Sequence, residues 1–266
     1  MDETPILVEL REGYRVITLN RPDRLNSFNE AQHKAFFAAV ADAEADAACG
    51  ALVITGAGRG FCAGQDLSDR VTAEGDAPPD LSVTIETYYN PLLKKLRALP
   101  FPTIAAVNGV AAGAGANIAL ACDIVIAAKS AKFIQAFAKI GLIPDSGGTW
   151  SLPRLAGAAR ARALALTGDP LPAETAADWG MIWKAVDDDA LMSEVTALAE
   201  RFAAGPTVGY DLIKQALDAS ETNDFATQLD LERDLQGKAG RTPDYAEGVR
   251  AFMEKRPPNF VGRRKG

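Results

Sequence analysis

The sequence predicts an α/β core followed by an all-helical C-terminal region. Short apolar runs alternate with small-residue turns through the first half, and strand-turn-helix units recur loosely at about the length of a supersecondary unit. After Trp150 the pattern changes to helices.

Taken in order, "ILVEL" and "YRVITLN" predict a hairpin turning over Arg11 to Gly13. "RPDRLNSF" is a loop in which Asn26, Ser27 or Asn29 caps the helix carrying Phe36, Phe37 and Val40. His33 falls among the polar positions of that amphipathic helix and is expected on the surface. "GALVITG" is a short buried strand leading into the loop "AGRGFCAGQDL". The Pro, Gly and acid content of "TAEGDAPPDLS" predicts a mobile loop around Asp76 to Asp80. The helix "IETYYNPLLKKLRAL" stops before Pro100 and Pro102.

"TIAAVNGVAAGAGANIALACDIVIAA" reads strand, glycine turn, small-residue helix, strand, and "AKFIQAF" a further strand. Helices follow over "LPRLAGAARARALALTG", "PAETAADWGM", "LMSEVTALAERFAAG", "VGYDLIKQALDAS", "DFATQLDLERDLQGKAG" and "DYAEGVRAFMEKR". This divides the chain into a core over 1–200 and a helical region over 201–266. That region is too thin to bury its own apolar faces and is expected to pack on another subunit.

Composition narrows the function. The chain has 266 residues, 48% of them hydrophobic, which suits one large core of about 200–250 residues. No run approaches the roughly 18 apolar residues of a membrane span, and "MDETPILVEL" lacks the order of a signal peptide. A cytoplasmic protein is expected. Cys49, Cys62 and Cys122 are scattered, as reduced thiols are, and His33 is the one histidine, which leaves no metal site to predict. A net charge of −7 argues against nucleic acid as a partner. The cations Lys255, Arg256, Arg263, Arg264 and Lys265 form either a solvated terminus or a contact for a ligand phosphate or a neighbouring subunit.

Two features point to chemistry. In "GLIPDSGGTW" a single carboxylate, Asp145, lies in a segment that otherwise reads as buried. Either it caps the helix after Gly147, or it serves as an acid or base whose pKa burial raises. The second feature is a pair of glycine-rich loops after strands, "GFCAGQDL" and "NGVAAGAGAN". Small residues there either allow close packing or let backbone N–H groups face a ligand; two converging donors would form an oxyanion hole for a thioester becoming an enolate.

"NRPDRLNSF", "RGFCAGQDL", "NGVAAGAGANIALACDIVIAA" and "FAKIGLIPDSGGTWSLPRLAG" resemble, in order, the motifs of the crotonase (enoyl-CoA hydratase/isomerase) superfamily. The resemblance implies a spiral of ββα units with a C-terminal helical trimerisation region, assembled as a homotrimer or a dimer of trimers. It implies acyl-CoA as substrate, with no separate cofactor. Carried over, the oxyanion donors are the backbone N–H groups of Gln65 and Ala114, with Gly64, Gly113 and Gly115 shaping the turns. Arg24 and Leu25 fall where the nucleotide end binds, and Ala63, Gln65, Asp66 and Leu67 where adenine and pantetheine bind. Gly113 also borders this binding site, and Lys255 and Phe260 lie in the tail that reaches a neighbouring subunit's CoA.

Hydratases of the family hold water with two glutamates, and here Asn117 and Phe137 stand at those places. Hydration is therefore not expected. Asp145 matches the aspartate of the family's dienoyl-CoA and ring-processing isomerases, which implies an acid/base role. The motifs most resemble the branch that converts a ring epoxide of phenylacetate degradation to an oxepin and also moves a 3,4 double bond to the 2,3 position. Phe137, Ile140 and Trp150 would wall the acyl group, and Asn117 would orient water, acyl group or Asp145. A straight-chain 3,2-enoyl-CoA isomerase and a non-catalytic acyl-CoA-binding homologue are the alternatives. A dehalogenase is disfavoured, because it needs a histidine base near Asp145.

Overall fold

A computed structural model describes residues 4–70 and 79–265. Two sheets organise it. β1 (Ile6–Arg11) and β2 (Tyr14–Leu19) form the predicted hairpin. β3 (Ala51–Gly56), β5 (Thr103–Val107), β7 (Ile124–Ala128) and β10 (Lys184–Val186) extend it in parallel, in the order β1-β2-β3-β5-β7-β10. The smaller sheet runs β4 (Gly60–Cys62), β6 (Val110–Ala112), β8 (Lys132–Ile134), β9 (Pro170–Pro172). Successive pairs β3/β4, β5/β6 and β7/β8 thus give one strand to each sheet, which is the repeating unit of a ββα spiral. Every residue of β3 and β5 is buried, so these strands are continuously apolar rather than alternating.

Helix α1 (Glu30–Ala45) is capped by Asn29, whose side chain accepts from the Gln32 N–H; of the three candidates, Asn29 is the cap. His33 is not on the surface: it is buried on α1 against Phe28, Tyr88 and Tyr89. The periodicity fails here because a second helical layer covers the polar-looking flank of α1. That layer is α2 (Leu81–Thr84), a π-helical turn (Ile85–Tyr89) and α3 (Asn90–Arg97). It starts earlier than predicted, with Asp80 capping the Ser82 N–H. Most of the expected mobile loop, including Asp76, lies outside the described residues.

Two strand assignments change. The stretch Thr103–Ala128 contains β6 as well as α4 (Ala114–Leu120), and "AKFIQAF" is strand only over β8 before a 3₁₀ turn (Ala136–Ile140). Past Trp150 the chain is not purely helical. α5 (Gly148–Ala156) and α6 (Ala158–Thr167) are split at Gly157, and β9 and β10 flank α7 (Ala173–Asp178). α8 (Leu191–Ala203) packs on β3, β5 and β7 through Leu191, Val195, Leu198 and Ala199. Each Leu or Val so buried stabilises by about 1.5–3 kcal/mol. The core therefore continues through Ala203, and a division after residue 200 cuts through α8.

The outer helices are α9 (Thr207–Ser220), α10 (Phe225–Ala239) and α11 (Pro243–Glu254). Lys214 ties them to the core by donating to the carbonyls of Leu99 (2.9 Å) and Phe101 (3.1 Å). Buried Asp244 holds the terminal segment by accepting from the N–H groups of Val261 and Gly262. Phe225, Phe252 and Met253 stay largely exposed. Among the described residues no helix is long and apolar enough to cross a membrane, and no group of His, Cys, Asp and Glu is placed to hold a metal ion. The three cysteines are free and buried.

Candidate active site

The two glycine-rich loops meet. A Cβ on Gly64 would lie 2.9 Å from the Ala112 oxygen and 3.3 Å from the Ala114 nitrogen. Gly64 (φ +91°) and Gly113 (φ +53°) both occupy backbone space that L side chains rarely adopt. Phe28 fixes the first loop: its N–H donates to the Gly64 carbonyl (2.7 Å), and its carbonyl accepts from Asp66 (2.9 Å). In extended backbone alternate residues face opposite sides, so the N–H of Gln65 points away from Phe28. The N–H of Ala114 is the first of α4 and has no partner within that helix. Among the described residues neither N–H has an acceptor, and both residues line one cavity.

That cavity has a volume of about 430 Å³, and apolar groups dominate its wall. Leu81, Ile85, Phe137, Ile140, Leu142 and Ile143 contribute, and Asp145 is the one acid among the described lining residues. The Phe137 ring rests against Gly113, 3.6 Å from where a Cβ would stand. Trp150 is elsewhere. Its indole is contacted by the guanidinium groups of Arg97 and Arg154, 4.5 and 4.2 Å from the ring centre, and Trp150 is not among the residues lining the cavity.

Asp145 does not cap α5 with its side chain. Gly147 occupies the cap without a side-chain bond, and the Asp145 backbone carbonyl, not its carboxylate, accepts from Gly148 (2.8 Å). Ser146 (φ +49°) and Gly147 (φ +79°) make the sharp turn that leaves the carboxylate facing the cavity. Ser146 Oγ donates to Asp145 Oδ1 at 3.0 Å. Burial raises the Asp145 pKa above the ordinary carboxylate value, against the lowering pull of the Ser146 hydroxyl and the residue's own N–H.

Asn117 is buried on α4 behind the cavity and does not line it. Its amide donates to the Asp145 carbonyl (2.8 Å) and its oxygen accepts from buried Gln135 (2.9 Å). Of the three roles left open, the geometry therefore favours orientation of Asp145, through its backbone. Asn117→Ala removes the acceptor that, among the described residues, the buried Gln135 amide has. It should cost about 1–3 kcal/mol in urea unfolding, and kcat should fall more than KM changes as the Asp145 segment loosens.

The predicted CoA contacts divide. Ala63, Gln65, Leu67 and Gly113 line the cavity. Leu25 is next to it, its carbonyl accepting from Ala63 (2.9 Å), and Arg24 is exposed beside it. The Asp66 carboxylate is committed elsewhere: it accepts from Arg21 (2.9 Å) and from Ser68 Oγ (2.7 Å). Burial acts to raise its pKa, but Ser68 and Arg21 outweigh that and hold it low. Lys255 and Phe260 are not at this cavity. Lys255 ends α11 in a left-handed turn, and Phe260 sits by Gly248 in a groove shared with Glu9 and Tyr14. The sequence reading missed Arg70, Thr84, Tyr89 and Lys139 in the wall; the tyrosine doublet was the available signal for Tyr89.

Comparison with known proteins identifies the family. The enoyl-CoA hydratase/isomerase family profile matches residues 9–263. The 1,2-epoxyphenylacetyl-CoA isomerase of Escherichia coli K12 is 56% identical over 258 residues, covering 97% of this chain and 98% of that protein. The trans-2-decenoyl-[acyl-carrier-protein] isomerase of Streptococcus mutans is 36% identical, with 99% of this chain and all (100%) of that protein covered. The crystal structure of an enoyl-CoA hydratase from Bacillus anthracis superposes with a TM-score of 0.91 at 32% identity, covering 97% of this chain and 99% of that one. With both loops, the two-sheet spiral and nearly the full length matched, the chain belongs to the enoyl-CoA hydratase/isomerase family.

Proposed function

We propose that the protein is an acyl-CoA isomerase that converts 1,2-epoxyphenylacetyl-CoA to the oxepin-CoA and also shifts 3-enoyl-CoA to 2-enoyl-CoA. The observation that carries this reading is that, among the described residues, a single half-buried carboxylate, Asp145, shares an apolar cavity with two N–H groups that have no acceptor. The thioester oxygen accepts from the N–H groups of Gln65 and Ala114. Asp145 takes the proton alpha to the carbonyl, the charge moves onto that oxygen as an enolate, and Asp145 returns the proton to a carbon further along. With the ring epoxide the bond between the two epoxide carbons also opens and the ring double bonds shift, which widens the six-membered ring to the seven-membered oxepin. One acid suffices because nothing is added or lost. Hydration would need a second group to hold and activate water, and the places where hydratases keep glutamates carry Asn117 and Phe137.

The apolar wall, with the Phe137 ring in it, suits a ring, and the 56% identity to the Escherichia coli ring-epoxide isomerase favours that substrate over a purely straight-chain one. The exposed apolar groups of α10 and α11 support assembly through the helical region, as a trimer or a dimer of trimers. No further cofactor is needed by this scheme, and the cytoplasm is the compartment it suits. Incubating the protein with 1,2-epoxyphenylacetyl-CoA and following oxepin-CoA by chromatography tests the reading. Product formation is expected, and turnover of 3-enoyl-CoA without any turnover of the epoxide would replace it with the straight-chain alternative.

A further inference from the structure

Gln65 has a side chain as well as an N–H, and the structure holds that side chain from two directions. Tyr89 Oη donates to Gln65 Oε1 at 3.0 Å, and His33 Nε2 lies 3.3 Å from the same oxygen. Tyr89 and His33 are each 2% exposed. The imidazole is clamped in turn, stacked on Tyr88 at 4.9 Å and set edge-on to Tyr89 at 4.6 Å. Consecutive tyrosines both reach it because they end the π-helical turn, a distortion frequent at functional sites. Burial pushes the His33 pKa down to about 4, so the ring is neutral and its Nε2 carries the proton toward Gln65, leaving Nδ1 buried and, among the described residues, without a partner.

With Oε1 engaged, the Gln65 amide nitrogen is turned to the other side. Among the described residues it has no acceptor, and Gln65 lines the cavity. An amide fixed at one end and unspent at the other is a preorganised donor. Its own backbone N–H faces the thioester oxygen, so it can serve an oxygen only a few bonds further along the acyl group. In 1,2-epoxyphenylacetyl-CoA the epoxide oxygen is carried by the carbon beta to the thioester. A straight 3-enoyl chain has no oxygen there.

We infer that the Gln65 side-chain amide is a specificity determinant that donates to the ring oxygen of the acyl group, with Tyr89 and His33 as positioning residues that hold it. This rests on the isomerase reading above. The alternative is a structural cross-link between the glycine loop and the helices over it.

The test compares kcat/KM on 1,2-epoxyphenylacetyl-CoA and on a straight-chain 3-enoyl-CoA for wild type, Gln65→Met and Tyr89→Phe. Gln65→Met keeps the length and the backbone N–H and removes the amide. The ratio of kcat/KM on the epoxide to that on the 3-enoyl substrate is expected to fall about tenfold, the worth of one neutral hydrogen bond, over and above any loss the two substrates share. Tyr89→Phe should move the ratio in the same direction by a smaller factor, and it carries the test if Gln65→Met fails to fold. Equal losses on both substrates, or none on the epoxide, overturn the inference. Wild type inactive on the epoxide but active on the 3-enoyl substrate overturns the functional reading itself, and the inference with it.

Discussion

Asp145→Asn should lower turnover of a 3-enoyl-CoA by about 10²–10⁴-fold, the usual worth of a positioned general base, and at the same time make the folded protein more stable near neutral pH. Asparagine keeps the shape and can still accept from Ser146 Oγ, which bonds Asp145 Oδ1 at 3.0 Å. It cannot take a proton. The stability gain follows from the direction of the pKa shift. Burial raises the pKa of Asp145 in the folded state, so the folded chain holds its proton more tightly than the unfolded chain does. The group's favourable contribution is complete below the unfolded carboxylate pKa and is lost as pH rises through the folded value. Near pH 7 the ionised carboxylate is therefore a cost that the wild type bears and the variant avoids. Thermal melts should show the variant higher at pH 7 and the gap closing toward about pH 4. The wild-type kcat/KM profile should fall on the acid side with a midpoint above the ordinary aspartate range. A variant as active as wild type would remove Asp145 from the chemistry, and one that is inactive and also less stable at pH 7 would make it a structural residue.

Much of this site is legible in sequence because its parts are local. Glycines at 64 and 113 mark turns that only a residue without Cβ makes easily, and a lone acid in "GLIPDSGGTW" stands out against its neighbours. The spiral is legible for the same reason: each apolar run sits close to the loop it feeds. What fails depends on contacts distant in the chain. His33 looks exposed because its own helix gives no sign that Tyr88 and Tyr89 cover it. β6 is hidden because three small residues, Val110 to Ala112, pair with strands on either side that local composition does not reveal. Trp150 reads as a wall residue by proximity to Asp145, yet α5 carries it round to face Arg97 and Arg154. The role of Asn117 is likewise tertiary, since its partners Asp145 and Gln135 come from other segments.

Gly115→Ala should lower kcat by about 10²–10³-fold and destabilise the fold by about 3 kcal/mol, the upper part of the range for overpacking a tight core. Gly115 is helical and needs no special φ; its constraint is space. A Cβ there would stand 2.3 Å from the Cys62 carbonyl oxygen, 2.7 Å from its Cβ and 2.8 Å from its carbonyl carbon. Two of those three atoms are backbone, so no rotamer change relieves the clash. Cys62 ends β4 and is fully buried, with its thiol donating to the Asn26 carbonyl at 3.2 Å, so the strand has little room to retreat. α4 must then move away from β4. That motion separates the N–H of Ala114, one residue before Gly115, from the N–H of Gln65, three residues after Cys62. An oxyanion hole is useful only while both donors reach the same oxygen, and losing one costs about 10²–10³ in kcat. Stability and turnover should therefore fall together in Gly115→Ala, whereas in Asp145→Asn they part. Chemical denaturation alongside 3-enoyl-CoA kinetics on the two variants reads both. An active, stable Gly115→Ala protein would mean that the two loops are not held at contact distance, and the converging donors would lose their structural basis.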